Sequence, residues 1–431
     1  MTSFRDDLDL AARWVDDYLA GVAERPVQAR VEPGELRARL PASAPERGEP
    51  FEAILRDVDE LVLPGITHWN HPRFFAWFAN TGSEPGILAE LLVAALNVNA
   101  MTWLSSPAAT ELELTACSWL AGLLGLPPEW HGHIEDTAST ATVAALAAAR
   151  ELRPGGAVYA SAEANFSVQK AARLVGLEFR PVPVDDAFRM RADVDLDDAT
   201  AVVATVGTTG TTSVDPVPEL AERCAAAGVW LHVDAAYAGA AAVCPELRWC
   251  LAGCEHADSV VMNPHKWLAA PMDCSVLWTR RPEALHDAFA VVPDYLASTR
   301  DAVDLKDYGP ALGRRFRALK LWFVLRWYGA EGLRALIREH VRLAQLFASW
   351  VEADPEWEIA APHPFSTVCF RHRERSSHEL AAAASATGEV FLAATTLRGR
   401  DALRLAIGNA RTAEADVARA WEVLRECASR P

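Results

Sequence analysis

A chain of 431 residues with 51% hydrophobic content is long enough to bury a large core and to divide into two or three lobes. Its formal net charge of -17 repels phosphate backbones and anionic headgroups, which excludes nucleic acid as an expected partner. Eight cysteines are scattered without a Cys-x-x-Cys pair, no apolar run is long enough to span a bilayer, and residues 1–9 lack the apolar core of a signal peptide; a reduced, cytoplasmic protein without a membrane partner is expected.

In chain order, Leu8, Ala11, Ala12, Val15 and Leu19 fall on one stripe of a helix, and a Pro-rich link follows around 41–50. Such a segment needs a surface to cover, on a neighbouring lobe or on a second subunit. After Pro127-Pro128, His131-Gly132-His133 reads as a polar loop whose histidines lie at the surface, and no metal site is expected. From about 90 to 305, short apolar strands alternate with Ala-rich helices, the pattern of a mostly parallel sheet with crossover helices. Strands are predicted at 157–160, 201–206, 229–233, 259–262 and 275–279, and helices at 140–152, 167–175 and 219–227, the last stopped by Gly228. Beyond Gly313, helices at 314–328 and 332–352, strands around 366–371 and 403–407, and a closing helix from 413 make a smaller α+β lobe. The expected division is an N-terminal helical dimerisation segment over 1–89, a large α/β domain over 90–312 and a small domain over 313–431.

Two strand ends carry the chemistry. In Leu231-His232-Val233-Asp234-Ala235-Ala236-Tyr237, strand alternation puts His232, Asp234 and Ala236 on one face. A carboxylate there, with a small residue two positions on, suits a flat pyridine ring: Asp234 would keep the ring nitrogen protonated and Ala236 would let the ring lie close. The segment Asn263-Pro264-His265-Lys266-Trp267 follows the next apolar strand, so Lys266 would reach the same sheet edge and hold pyridoxal phosphate as a Schiff base. Thr137-Ala138-Ser139-Thr140 offers hydroxyls and amides for a phosphate at a helix start. Taken singly, each has a plainer reading: a strand-end aspartate caps turns, a lysine sits at the surface, and a Thr-rich helix start is an ordinary N-cap.

Six ordered motifs together resemble one family, the group II pyridoxal-dependent decarboxylases of the aromatic-amino-acid type. They are Pro64-Gly65-Ile66-Thr67-His68-Trp69, His71-Pro72-Arg73-Phe74-Phe75-Ala76, Ser106-Pro107-Ala108-Ala109-Thr110-Glu111-Leu112-Glu113, the Asp234 strand, the Lys266 segment and Gly313-Arg314-Arg315-Phe316-Arg317-Ala318-Leu319-Lys320. The resemblance spans nearly the whole chain. It implies fold type I, with a mostly parallel seven-stranded sheet in the large domain, an intertwined homodimer, and pyridoxal 5'-phosphate on Lys266. It also implies Thr209 near the cofactor, Ala138, Ser139, Asn263 and His265 around the phosphate, and a substrate pocket of Trp69, Trp77, Phe78, Asn80 and Met101 suited to a bulky or aromatic amino acid.

Two positions depart from that pattern. Where the family stacks a histidine on the cofactor, this chain has Asn165, which cannot carry a proton as imidazole does. Counting back without gaps from Gly313 puts Leu305 where such decarboxylases carry a loop tyrosine, within a segment, 294–311, expected to be mobile. That tyrosine protonates the quinonoid carbon left by departing carbon dioxide, a step worth roughly two to four orders of magnitude. Loss of carbon dioxide needs only the electron sink and orientation, which survive here. The resemblance therefore leaves two outcomes: decarboxylation to an amine, with Tyr308 or water protonating, or decarboxylation coupled to oxidation by dioxygen, giving an aldehyde, ammonia and peroxide. Transamination through Lys266 and a cofactor-retaining binding module are weaker alternatives.

Overall fold

The computed structural model describes residues 3–291 and 302–430. Strands β1 (His131–Glu135), β2 (Ala157–Ser161), β3 (Glu178–Val182), β4 (Ala199–Thr205), β5 (Trp230–Asp234), β6 (Ser259–Met262) and β7 (Ser275–Thr279) form a sheet in the order β1-β7-β6-β5-β4-β2-β3. From β3 to β6 the pairing is parallel, and β7 runs antiparallel to both β6 and β1. Strands β2, β4, β5, β6 and β7 are buried along their whole length, because helices cover both faces and the Val- and Ala-rich runs need no polar side. This is the mostly parallel α/β architecture of fold type I that the motifs implied.

Register decides where function can sit. Thr205 pairs with Asp234 and Asp234 with Val261, so β4, β5 and β6 end together on one edge of the sheet. Such an edge is the ligand-binding edge of an open α/β sheet.

The reading of His131 and His133 as surface loop residues is corrected: both belong to β1, and His133 is fully buried, with Nε2 3.2 Å from Glu135 Oε1. Alternating His and Glu on one face gave the strand a polar appearance. Gly132 between them is required by close approach, since a Cβ there would meet the Trp278 ring at 2.7 Å and Cys117 Cβ at 2.8 Å. Strand β3 also escaped the sequence pattern, because as an edge strand it exposes Glu178 and Pro181.

A second sheet of β8 (Trp357–Ile359), β9 (Thr367–His372), β10 (Ala393–Leu397) and β11 (Arg400–Ala406) is antiparallel in the order β10-β11-β9-β8. Phe370, Leu403 and Leu405 face a core completed by Phe347 and Trp357. The two long helices expected after Gly313 form one run, Ala318–Ala353, interrupted at Gly329 (φ 59°, ψ 178°). Its first part packs Leu321 and Val324 on the large core and its last part packs Phe347 and Val351 on the small one.

The N-terminal helix, Phe4–Gly21, has a Ser3–Asp6 capping box and buries no residue. Its apolar stripe faces Ile87, Leu88 and Leu91 of the helix Glu84–Leu96 across an open groove. Further on, Phe75 N donates to Phe391 O (2.7 Å) and accepts through its carbonyl from Ala406 N (3.0 Å). The backbone before Trp77 is thereby stitched to the small sheet. No helix among the described residues is long and apolar enough to cross a membrane.

Candidate active site

The ends of β4, β5 and β6 open into a cavity of about 330 Å³. Thr205, Asp234 and Ala236 line it from the strand ends, Asn263, His265 and Lys266 from the turn after β6, and Ala138 and Ser139 from the start of the helix Ala138–Leu152. Asn165 and Thr209 enter from neighbouring loops, and Trp77, Phe78, Asn80 and Met272 form the outer wall.

Asp234 is buried, with Oδ1 accepting from Ala236 N at 3.0 Å. Burial pushes its carboxyl above the usual range, against the opposing pull of Lys266. Burial likewise pushes the Lys266 amine down, with Asp234 opposing. Both groups are drawn toward their neutral forms, and a neutral amine is the form that attacks an aldehyde.

The donors around the helix start are arranged for an anion. Thr137 is an N-cap without a side-chain cap bond, so the first-turn amides beside Ala138 and Ser139 have no intrahelical acceptor. Asp136 Oδ1 takes the Thr137 amide and the Thr137 and Thr140 hydroxyls, so those two hydroxyls are not the phosphate donors the sequence offered, and the role falls to Ser139 and the amides that follow Thr137. Asn263 Oδ1 accepts from Ser275 Oγ at 2.6 Å, which leaves the Asn263 NH2 to donate. His265 Nδ1 accepts from Cys274 N at 3.0 Å, fixing the tautomer with its proton on Nε2, and burial holds the ring neutral at about 3. A buried amine, a strand-end carboxyl, a small residue in the same lining and a cluster of neutral donors fit the aldehyde, ring nitrogen and phosphate of pyridoxal phosphate.

Asn165 is the N-cap of the helix Phe166–Leu174: its Oδ1 accepts from Ser167 N at 3.0 Å and its Nδ2 donates to Thr209 Oγ1 at 3.1 Å. Phe78 stacks on Tyr237 (centroids 3.8 Å apart), and Tyr237 stacks on Trp267 (4.9 Å). Lys266 Nζ lies 5.4 Å from the Phe78 centroid.

The structure thus brings together Lys266, Asp234, Ala236, Thr209, Ala138, Ser139, Asn165, Asn263, His265, Trp77, Phe78 and Asn80. Four other expected residues do not line the cavity of this chain. Trp69 stacks behind Trp77, 5.4 Å away. Met101 uses its carbonyl to accept from Lys306 N (3.0 Å). Leu305 is fully buried, and Tyr308 stacks on His131 at 4.2 Å. Of the segment expected to be mobile, residues 294–301 lie outside the described residues. Sequence reasoning passed over Thr205, Tyr237 and Met272. Strand-end logic would have found Thr205, which is level with Asp234, whereas nothing in the local sequence marked Met272.

The conserved domain of pyridoxal-dependent decarboxylases matches residues 33–373. A tyrosine decarboxylase of Oryza sativa subsp. japonica is 43% identical, over 96% of this chain and 89% of that protein. Among solved structures, Catharanthus roseus tryptophan decarboxylase in complex with L-tryptophan superposes with a TM-score of 0.93 at 37% identity, covering 99% of this chain and 98% of the other. Rhodiola rosea 4-hydroxyphenylacetaldehyde synthase gives a TM-score of 0.92 at 34% identity, covering 98% and 97%.

Proposed function

We propose that this chain, which belongs to the pyridoxal-dependent decarboxylase family and is a carboxy-lyase that uses pyridoxal phosphate, removes the carboxylate of an aromatic L-amino acid and releases the remainder as an aldehyde. One dioxygen and one water are consumed for each carbon dioxide, ammonia and hydrogen peroxide released. Bound pyridoxal phosphate supplies the electron sink that makes loss of the carboxylate feasible. Lys266 Nζ is the amine that would hold it, Asp234 would keep its ring nitrogen protonated, and the Ser139 and first-turn amides with Asn263 and His265 would hold its phosphate. Trp77 and Phe78 supply an apolar wall for a ring-bearing side chain, and the Asn80 amide beside them lies 3.5 Å from Met272 Sδ, a weak acceptor that leaves it available to a polar substrate group.

The observation that carries the aldehyde is Asn165. A positioned titrating donor speeds protonation of the carbon left by the carboxylate, and the amide at this position is neutral at any working pH and already committed to Thr209 and to the helix start. Leu305 has no proton to give, and the Tyr308 ring is docked on His131. An electron-rich carbon left unprotonated reacts with dioxygen. The competing outcome is the amine, favoured by Lys266, which lines the cavity and could return a proton.

The open groove between the N-terminal stripe and Leu88 and Leu91, both exposed, suits coverage by a second copy of the chain in a homodimer. Eight buried thiols suit a reducing cytoplasm.

The test is stoichiometry. Purified protein with pyridoxal phosphate is given L-phenylalanine, L-tyrosine or L-tryptophan, and carbon dioxide, oxygen uptake, peroxide and amine are measured together. Peroxide matching carbon dioxide supports the proposal; amine matching carbon dioxide without oxygen uptake sinks it. Absence of any cofactor absorbance on the protein would sink the roles of Lys266 and Asp234 as well.

A further inference from the structure

We propose that Arg404 is a positioning residue for substrate selection: through Trp77 and Phe78 it fixes the aromatic wall of the cavity and so decides which side chains are accepted. The proposal rests on the reading that a ring-bearing amino acid enters this cavity.

Arg404 stands on β11, in register with Ala393 of β10 and Cys369 of β9, so it occupies the middle of the small sheet. Its neighbours Leu403 and Leu405 point into the small core, and strand alternation sends Arg404 to the other face, toward the cavity wall. The side chain is buried, only 3% exposed. Its Nη1 donates to the Trp77 carbonyl, and its guanidinium carbon lies 4.3 Å from the Phe78 ring centroid. Tyr237 covers Phe78 by stacking, so the Phe78 ring is held by a phenol from the large domain and a cation from the small one.

Trp77 needs such a hold. Its backbone sits at φ 48°, a left-handed conformation that bulky residues rarely adopt, and its ring is half-exposed against Trp69 and edge-on to Phe391. A guanidinium on the Trp77 carbonyl fixes the turn that aims both rings. Arg404 makes this contact at a cost, since Nε and Nη2 have no acceptor among the described residues. An apolar side chain would fill the space more cheaply. What the guanidinium adds is a directed hydrogen bond and a flat face together, which lysine cannot reproduce.

The experiment uses the holoenzyme and its Arg404→Met and Arg404→Lys variants labelled with 5-fluorotryptophan, the Trp77 resonance being assigned by Trp77→Phe. In Arg404→Met the Trp77 resonance should shift and broaden while the cofactor absorbance stays. KM for L-phenylalanine, L-tyrosine and L-tryptophan should rise about tenfold with kcat within about threefold, as expected when binding rather than chemistry is lost. Affinity for L-alanine, followed by the change in cofactor absorbance, should hold. Arg404→Lys should recover part of the loss, and if Arg404→Met fails to fold, Arg404→Lys against wild type carries the same comparison. An unmoved Trp77 resonance, an equal loss for L-alanine, or a fall confined to kcat would each overturn the proposal; the second would mark Arg404 as a carboxylate ligand instead. The resonance is read without substrate, so it stands or falls separately from the aromatic-substrate reading, which fails if wild type turns over none of the three.

Discussion

Asn165 Nδ2 donates to Thr209 Oγ1 over 3.1 Å while its Oδ1 accepts from Ser167 N, so one amide both faces the cavity and ends a helix. Replacing it with imidazole restores a titrating group where the carbon must be protonated but removes the cap. Asn165→His combined with Leu305→Tyr should therefore lower the aldehyde-to-amine ratio at least about tenfold, a modest share of what a general acid supplies. Stability should fall by about 1 kcal/mol from the lost cap and by a further 1–3 kcal/mol, roughly, from placing a tyrosine in the fully buried Leu305 site. Chromatography of both products with a peroxide assay measures the ratio. If it stays where it was, these two positions do not decide the fate of the carbon.

Leu305 is docked rather than free. Asp304 Oδ1 accepts from Trp103 N at 2.9 Å, Lys306 N donates to Met101 O at 3.0 Å, and Leu305 between them is fully buried. Leu305→Ala should then cost about 2–5 kcal/mol, the range for a core leucine. Urea denaturation followed by circular dichroism reads it directly. A cost below about 0.5 kcal/mol would mean the segment spends its time undocked, with Leu305 in water.

How much of this was legible depends on what each element buries. The strands covered on both faces, β5 to β7, were readable to within a residue because short runs built mainly of Val, Leu, Met and Trp have few other uses. Asp234 and Lys266 were readable as strand-end groups for the same reason. Strand β1 was hidden by its histidines, whose burial depends on Glu135 and the ring of Tyr308, a partner more than 170 positions away. Arg404 was invisible: in Leu403-Arg404-Leu405 it reads as the polar side of an alternating strand, and only the docking of Trp77 and Phe78 buries it.

The Lys266 amine offers a pH test of its partnership with Asp234. Burial favours the neutral amine, while the Asp234 carboxylate favours the charged one. Removing the carboxylate in Asp234→Ala leaves burial unopposed, so the pH at which half of the amine is neutral should move down. Borohydride trapping of pyridoxal phosphate on apoprotein across pH, with the adduct mapped to Lys266 by mass spectrometry, follows that midpoint. An upward shift would show that Asp234 does not act on this amine. Turnover should be lost in the same variant, because the ring nitrogen loses its partner.

Acid should unfold the protein through its buried imidazoles. Burial holds His71 and His340 near 4, and His131, His232 and His265 near 3, against an ordinary value of 6.5. Below 6.5 the unfolded chain takes up protons that the folded chain refuses, so stability falls as pH drops from 6.5 toward 4, by up to about 1.4 kcal/mol per pH unit for each histidine. Asp215 works the other way: burial raises it to about 6, so the folded chain binds its proton first, and its contribution grows as pH falls from 6 toward 3.8. Asp234 and Glu163, which burial also raises, act in the same direction as Asp215, but His68, which burial also lowers, joins the five histidines, and six imidazoles against three carboxyls leave a net loss. The urea midpoint should drop steeply between pH 6.5 and 5, and an unchanged midpoint would mean that these rings are solvated in the folded protein. His340 ties the effect to the site, because its Nδ1 accepts from Trp267 Nε1 at 2.9 Å, and Trp267 stacks under Tyr237 beside Lys266. Protonation of His340 removes that acceptor, so the cofactor absorbance should decay over the same pH interval as the fold.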